Sequence, residues 1–424
     1  MPRGFQKIYA LKGGWREWEE AEYPIAQKET EGSTIVDSCV KCHIKATPAV
    51  VAEWEASKHS RNEVSCLLCH GVDHMSATDV GKAVPVTQDM CRTCHETQAD
   101  QFRAGKHAVA WEAARVIPGA HWQPMALVEG KRGCAACHKL GIKTQDEIKT
   151  LKKGGFGLGV ASCDVCHSRH TFSLKEAREP RTCQVCHAGA DHAQWEMFES
   201  SKHGIRYALK QSGVLPEAAL APTCRTCHMP EGSHEVRTAW GFWALRLPLT
   251  EDSDPAWTEA RATILRALGM LDPRGDPTGM LDAAKGVDLL RQTREDWQRE
   301  RDRMVMVCSQ CHEEKVAREE LERGDRIVRQ SDLLMAEAIR IVAGIYNPGS
   351  AEKAGTAGYL FPDLLASHDS QRLVEQRLFS MFQKSRSRTF QGRFHGNLEG
   401  AFQDGLGRMI EDVTAIRAMR NQKP

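Results

Sequence analysis

The stretch from Cys183 to His203 reads CQVCHAGADHAQWEMFESSKH, and it contains the residue types on which the organisation of the chain depends. It begins with a Cys-x-x-Cys-His pattern, continues with the adjacent residues Asp191 and His192, and ends with His203 in a Ser-Lys-His context. A chain that only carries electrons needs metal ligands, whereas one that transforms a small molecule also needs an acid or base beside an open metal. This stretch holds candidates for both roles.

The Cys-x-x-Cys-His pattern accounts for every cysteine of the chain. All 16 Cys among the 424 residues fall in eight copies of it, which we number as motifs one to eight in chain order. The copies are Cys39, Cys42 and His43; Cys66, Cys69 and His70; Cys91, Cys94 and His95; Cys134, Cys137 and His138; Cys163, Cys166 and His167; Cys183, Cys186 and His187; Cys224, Cys227 and His228; and Cys308, Cys311 and His312.

The motif has the spacing that covalent haem attachment requires. Two thiols three residues apart, on about one helical turn, can bond to the two vinyl groups of one haem, and the following His then reaches the iron. Structural zinc is the alternative, but zinc knuckles need no His after each cysteine pair. Only 18 of 424 residues are His, yet a His follows all eight pairs. A disulfide framework fits less well than zinc, because each pair is too closely spaced to close a long loop. The sequence therefore predicts eight covalently bound haem c groups.

Charge and hydropathy argue against nucleic-acid binding and against a transmembrane segment. The formal net charge is +1, and eight ferric haems with ionised propionates would bring it to about −7, which argues against nucleic acid. No run of about 18 apolar residues is present, so we expect no transmembrane segment. The start, Met-Pro-Arg-Gly-Phe, lacks the pattern of a signal peptide. Because haem c attachment normally follows export, we expect a periplasmic protein whose leader is not in this chain.

The distribution of motifs predicts three regions and a mainly α-helical fold. Residues 1–28 differ from the rest, residues 36–240 form a haem-rich region with seven motifs, and residues 250–424 form a helical domain that carries motif eight. Mean hydropathy is −0.47 and aromatic residues make up 6%, so little apolar sequence separates the first seven motifs. We therefore expect helices there to pack against porphyrin rings, which supply the missing apolar surface.

The C-terminal half has the periodicity of long amphipathic helices that form a bundle. Apolar residues recur at spacings of three and four over Leu281 to Val307, Glu313 to Tyr346, Ser370 to Ser387 and Gly396 to Arg420. In the second of these, the predicted buried stripe consists of Val316, Leu321, Ile327, Leu334, Ala338 and Ile341. A bundle core is the simpler interpretation of this stripe, in preference to a second cofactor site.

Ten His lie outside the motifs, and most of them are candidates for the distal face of a haem iron. Three stand in a Ser-Lys-His or Gly-Lys-His context, and three others closely follow a motif, where each can reach only a neighbouring haem. These six predicted distal ligands are His59, His107, His203, His74, His170 and His234. His121 is the predicted seventh, with His368 and His395 as its alternatives.

His192 is assigned a different role. It directly follows Asp191, and a carboxylate beside an imidazole raises the proton affinity of the ring, which suits a general acid. The alternative is that His192 is one more iron ligand.

Residues 8–24, IYALKGGWREWEEAEYP, closely resemble the last strand and helix of a rhodanese domain. A rhodanese acts through a nucleophilic Cys that precedes such a segment, and here no Cys precedes Cys39. Sulfurtransferase activity is therefore not expected, and the segment is interpreted as a truncated fusion partner or a docking element.

The order of motifs, the Ser/Gly-Lys-His repeats, the Asp191-His192 pair after motif six and the helical tail resemble the octahaem hydroxylamine oxidoreductase family over residues 36–420. The resemblance implies that motif four carries the catalytic haem, with His138 below the iron and Asp191 and His192 lining an open distal face. It also implies a homotrimer.

One departure from the family bears on the direction of the reaction. Members that oxidise hydroxylamine cross-link a Tyr of a neighbouring subunit to the catalytic porphyrin. In the matching stretch here, Phe394 to Phe402, Gly400 stands where that Tyr would fall, and the last Tyr of the chain is Tyr359. By analogy with the family, this favours reduction.

The expected activity is therefore reduction of nitrite and hydroxylamine to ammonium, with electrons from a donor cytochrome or a quinol dehydrogenase. Hydroxylamine or hydrazine oxidation and a non-catalytic electron-transfer cytochrome remain as alternatives. Reduction of sulfur oxyanions is weaker, because such octahaem enzymes tend to carry altered motifs or a Lys ligand. Calcium near the active site is an expectation by analogy with other ammonia-forming nitrite reductases, and no ligand cluster in the sequence argues for it.

Overall fold

A computed structural model of the chain describes residues 31–116, 134–156, 159–189, 192–240, 242–247, 253–286, 290, 293–346, 362–365 and 372–420. The described residues form helices and turns, with one isolated β-bridge between Leu271 and Pro277, so the predicted mainly α-helical class is confirmed. The segment that resembles a rhodanese lies outside the described residues. A first compact unit ends at Ala83 and a second begins at Val84. The predicted domain boundaries stay a prediction.

The helices of the motif-rich part are short. In the first unit they are α1 (Glu31–Ala46), α2 (Pro48–Ala56), α3 (Lys58–Arg61) and α4 (Cys66–His70). In the second unit they are α5 (Gln88–Arg92), α6 (Glu96–Ala104), α7 (Ala110–Val116), α8 (Ala135–His138), α9 (Gln145–Lys153), α10 (Leu174–Arg178), α11 (Pro180–Gln184), α12 (Gln194–Glu199), α13 (Lys202–Gln211) and α14 (Cys224–His228).

Long helices are present in the C-terminal part, as predicted. The helices described there are α15 (Pro255–Ala267), α16 (Gly279–Gly286), α17 (Arg294–Cys308), α18 (Glu314–Tyr346), α19 (Leu373–Ser380), α20 (Ser387–Phe394) and α21 (Gly407–Arg420). The longest of them is α18 with 33 residues. Met381–Arg386 joins α19 to α20 as a π-helical segment, and Gly400–Leu406 precedes α21 in the same conformation. The helix predicted over Glu313 to Tyr346 is confirmed almost to the residue. The one predicted over Leu281 to Val307 is divided between α16 and α17.

Helix starts follow the capping rules that the sequence indicates. The side chain of Asp254 accepts a hydrogen bond from the backbone N of Trp257 at 3.0 Å, and Pro255 occupies the first turn of α15. Thr144 and Glu147 form a capping box at the start of α9. Each such cap satisfies backbone N–H groups that the helix itself leaves unpaired.

The apolar core of the second unit lies between the C-terminal helices. Ile339 of α18, Phe382 of the π-helical segment and Met409 of α21 are fully buried in one cluster with side chains of α15 and α16. The predicted stripe of α18 is buried at Ile327 and Ala338, but Val316 is 42% exposed, so the stripe does not extend to the first turn.

An ion pair crosses this core. Nη2 of Arg386 lies 2.7 Å from Oδ1 of Asp332, and both side chains are almost completely buried. The carboxylate also accepts a hydrogen bond from Nε1 of Trp257 at 2.8 Å, and the guanidinium donates to the backbone O of Trp243. The pair therefore joins three elements of the bundle.

A second apolar cluster lies at motif four, where the sequence predicts little core. It consists of Trp111, Ala135, Ile148, Leu151, Phe156 and Val160. Ala135 is the residue that follows Cys134 of the motif, and it is fully buried. Motif four is thus supported by side-chain packing of its own.

Among the residues that the structure describes, no helix is long and apolar enough to cross a membrane. The same residues contain no group of three or more His, Cys, Asp or Glu side chains placed to share one metal ion. The expected calcium therefore stays an untested prediction.

Candidate functional site

The motifs fold as tight helical turns that bring two thiols and one imidazole together. In motif four, the backbone N of His138 donates to the backbone O of Cys134 at 2.9 Å, and motifs three, five, six and eight repeat this bond at 2.9 to 3.0 Å. Motifs two and seven are complete short helices. All the cysteines have free thiols. This local geometry fits the attachment of one haem at each motif.

Several His rings face each other across the distance that one iron atom requires. An imidazole nitrogen lies about 2 Å from the metal it binds, so two rings on opposite faces of one iron have centroids about 6 Å apart. In the following five pairs, the ring of a motif His and a second His ring have centroids 6.0 to 6.3 Å apart. The pairs are His43 with His74, His187 with His107, His167 with His234, His312 with His203, and His228 with His395.

Hydrogen bonds at Nδ1 leave Nε2 of several rings available to a metal. Nδ1 of His138, His228 and His395 lies 2.7 to 2.9 Å from the backbone O of Ala110, Arg237 and Gln391, respectively. Because a carbonyl oxygen only accepts, Nδ1 carries the proton and Nε2 has a free electron pair. Such bonds are typical of metal-ligating His, whose orientation they fix.

Burial keeps three of the paired imidazoles neutral, those of His107, His187 and His395. The neutral imidazole is the form that binds a metal. Burial lowers the pKa of His107 to about 4 and that of His187 to about 3, with smaller contributions from neighbouring His rings. It also lowers the pKa of His395 to about 4. None of these rings needs to lose a proton at neutral pH before an iron can bind.

The recurrent Ser-Lys-His pattern is a helix cap that presents its His. Oγ of Ser57 accepts from the backbone N of Ser60, and Oγ of Ser201 accepts from the backbone N of Gly204, both at 3.1 Å. The third copy has Gly105 in place of Ser. A Cβ at that position would lie 2.3 Å from the backbone O of Glu235, so close backbone contact requires a glycine here.

Four of the predicted distal ligands lie in these pairs. His74, His107, His203 and His234 each face a motif His. His59 lies on α3, and His170 lies three residues after motif five. His121, His368 and Asp191 lie outside the described residues. The ligand assignments stay predictions.

His395, which the sequence analysis gave as an alternative to His121, has its ring beside that of His228 of motif seven. Nothing in its local sequence distinguishes it, since the Ser/Gly-Lys-His context is absent and the nearest motif is far away in the sequence. It directly follows α20, which packs against α12.

The His395→Ala variant is expected to convert one low-spin haem into a high-spin haem, because it removes a distal imidazole. Electron paramagnetic resonance of the purified holoprotein measures this change. His395→Met is the matched variant, since a thioether can also bind haem iron and raises its potential; it should restore the low-spin state. An unchanged number of low-spin haems in His395→Ala would contradict the pairing.

The loop that carries His192 folds back on motif six. The backbone N of Trp195 donates to the backbone O of His187 at 2.8 Å, and Oε1 of Glu196 accepts from the backbone N of Gly189 at 2.8 Å. The ring of His192 therefore lies near His187, with centroids 6.4 Å apart. His187 thus has His107 on one side and His192 close by.

Motifs four and six are neighbours. The thiols of Cys137 and Cys186 hydrogen-bond to each other, and this bond together with burial raises the pKa of Cys186. Equivalent thiol contacts join Cys91 with Cys163 and Cys183 with Cys224. Motif six is therefore adjacent to both motif four and motif seven, and the loop with His192 departs from this junction.

The stretch from Phe394 to Phe402 packs against α12, the helix that follows the loop with His192. Nδ2 of Asn397 donates to Oγ of Ser200 at 2.6 Å. A Cβ at Gly400 would lie 2.8 Å from Sδ of Met197 and 3.0 Å from Nδ2 of Asn397. A larger side chain at position 400 would have to displace both groups.

The sequence is similar to a family model and to a known relative. Residues 38–267 and 286–357 match the family model described as seven times multi-haem cytochrome CxxCH. A probable nitrite reductase-hydroxylamine oxidoreductase fusion protein of Kuenenia stuttgartiensis is 26% identical over 374 residues. The match covers 74% of this chain, but the chain spans only 38% of the length of that relative.

Two solved structures share the fold. A reducing HAO-like protein complex of Kuenenia stuttgartiensis matches with a TM-score of 0.63 and 22% identity, covering 92% of this chain and 85% of the other. A hypothetical multiheme protein matches with a TM-score of 0.62 and 19% identity, covering 91% and 94%. At these identities the likeness concerns the fold alone.

Proposed function

The chain belongs to the multi-haem cytochrome CxxCH family, and from this membership we propose that it is an oxidoreductase that reduces nitrite, by way of hydroxylamine, to ammonium. The observation that carries the proposal is the junction of motifs four and six. There a loop with a non-motif imidazole, His192, leaves the motif that adjoins His138. The name of the curated relative, which includes both nitrite reductase and hydroxylamine oxidoreductase, supports the class of substrate.

The residues present fit eight haem c groups, one at each motif. In this proposal the five facing ring pairs each hold one iron from both sides. Haem six is then held by His187 and His107, haem seven by His228 and His395, and haem eight by His312 and His203. His138 is the proximal ligand of haem four. A bound haem c supplies electron transfer and a site where a small nitrogen compound binds.

The chain's own residues supply the protons. His192 protonates an oxygen of the bound substrate as that oxygen leaves as water, and Asp191 orients the imidazole and favours its reprotonation. Conversion of nitrite to ammonium consumes eight protons and six electrons and releases two water molecules. The remaining haems conduct and store these electrons, which come from a donor cytochrome or a quinol dehydrogenase. Partly reduced nitrogen compounds then need not leave the site.

Gly400 supports the reductive direction of the reaction. Since this position has no side chain, no Tyr from it can reach a neighbouring porphyrin, and the haem at motif four keeps the properties of an ordinary haem c. We propose on the same family analogy that the protein acts in the periplasm and as a homotrimer.

Two measurements on purified holoprotein test the proposal. A high-spin ferric signal from one haem in eight is expected, because in this proposal His138 would be the only protein ligand of the iron at motif four. Reduced viologen should then be consumed by nitrite, with ammonium as the product. Activity seen only as hydroxylamine or hydrazine oxidation would contradict the reductive direction. Wholly low-spin spectra without activity would indicate a non-catalytic electron-transfer cytochrome instead.

A further inference from the structure

The turn of residues 105–109 and the start of α7 form a short connection, residues 105–111, which we call the tether. We propose that the tether couples the two irons of motifs four and six, because it holds the distal ligand of one and the hydrogen-bond acceptor of the proximal ligand of the other. The inference rests on the haem ligation proposed above, but it does not depend on the reaction that the protein catalyses.

The two functional groups of the tether, the imidazole of His107 and the backbone O of Ala110, belong to residues three positions apart in the sequence. The ring of His107 faces His187 of motif six, with centroids 6.1 Å apart. The backbone O of Ala110 accepts from Nδ1 of His138 of motif four at 2.8 Å. Between them, the backbone N of Ala110 donates to the backbone O of His107 at 3.3 Å. A shift of one residue therefore moves the other.

The tether is fixed to the segment after motif four by contacts that allow little movement. The backbone N of Ile142 donates to the backbone O of Ala108 at 2.8 Å. A Cβ at Gly141 would lie 2.2 Å from the backbone N of Trp111 and 2.7 Å from its Cβ. Only a glycine permits this approach. Nζ of Lys143 donates to the backbone O of Gly141 and so closes the same turn.

The side chain of Trp111 holds the far end of the tether. It is 6% exposed and belongs to the apolar cluster that includes Ala135 of motif four. Its Nε1 donates to Oε1 of Glu147 at 2.9 Å. The contact between Gly105 and the backbone of Glu235 holds the other end. With both ends fixed, the tether has one position that satisfies His107 and Ala110 together.

The hydrogen bond to Ala110 matters for the iron at motif four. A donor bond from Nδ1 makes an imidazole a stronger electron donor to its metal, which stabilises the oxidised state and lowers the potential. If the tether moves, this bond lengthens and the potential of that haem rises. The same movement withdraws His107 from the iron at motif six. The two haems should therefore respond together to a change in either.

Gly141→Ala tests the coupling, since its Cβ must push the tether away. In purified holoprotein we expect two haems of eight to change: one low-spin signal is weakened in paramagnetic resonance, and the potential of a second haem rises in a redox titration. Gly286→Ala is the matched control, because a Cβ there meets nothing within 4 Å. It should leave all eight haems as in the wild type. A change confined to a single haem in Gly141→Ala, or no change, would overturn the proposal.

A second variant covers the case in which Gly141→Ala does not accumulate as holoprotein. His107→Ala keeps the close contact of Gly141 with Trp111 and removes only the distal imidazole. It should make one haem high-spin and, because the tether then loses its bond to the iron at motif six, shift the potential of a second haem. A high-spin haem with no shift at any other haem would show that the two irons are independent. Because these readouts need no turnover, they are separate from a failure of the proposed nitrite reduction.

Discussion

Replacement of His192 by alanine is expected to lower kcat for nitrite reduction by about 10²- to 10⁴-fold, the usual contribution of a positioned general acid. The loop that carries this residue is held by the bonds of Trp195 and Glu196, neither of which involves the imidazole, so its backbone should persist. The haem content and the spin states should stay unchanged. A viologen-coupled assay of the purified variant, with ammonium measured as product, gives the decisive comparison.

Two matched variants make the interpretation specific. Glu199→Ala changes an exposed side chain at the end of α12 and should retain the wild-type rate. Asp191→Asn removes the charge that favours the protonated imidazole, and its loss of rate should be smaller than that of His192→Ala. If His192→Ala instead turns a low-spin haem into a high-spin one, His192 is an iron ligand and the general-acid role is excluded.

Arg386→Met is expected to destabilise the holoprotein by about 3–5 kcal/mol, because it leaves the buried carboxylate of Asp332 without its charged partner. Trp257 alone would then bond to that carboxylate. The midpoint of denaturant unfolding, followed by circular dichroism, measures the effect. A large shift would show that the C-terminal bundle depends on this pair although neither residue belongs to a motif.

The control for this prediction is an ion pair at the surface. Nη1 of Arg408 lies 2.8 Å from Oε2 of Glu411 on α21, and the two side chains are 61% and 63% exposed. Water screens the attraction between such exposed charges. Arg408→Ala should therefore leave the unfolding midpoint unchanged. The double variant Arg386→Met with Asp332→Leu should recover part of the lost stability, since a matched apolar pair can replace a buried ion pair. Equal midpoints for Arg386→Met and Arg408→Ala would contradict the prediction.

Local patterns predicted the local features well. The motif spacing predicted the eight helical turns, and the period of apolar residues predicted α18 almost to the residue. These features depend on residues within a few positions of each other, where hydrogen bonding and helical geometry decide the outcome.

Long-range features were not predictable in the same way. His395 faces His228 across a long sequence separation, and no local pattern reports that contact. The apolar cluster around Trp111 was also missed, because its members come from four separate short segments with low overall hydropathy. The burial of Arg386 and Asp332 gave no signal, since charged residues on amphipathic helices are usually exposed.

The facing His rings have a consequence for how the chain resists unfolding. Once an iron lies between two such rings, it closes a loop just as a disulfide does, and closing a long loop removes conformational freedom from the unfolded chain. Of the loops from 107 to 187, from 167 to 234, from 203 to 312 and from 228 to 395, each overlaps the next. Local unfolding of one segment would then require breaking several coordinate bonds. The protein with its haems bound should therefore resist proteases and unfold cooperatively as a whole.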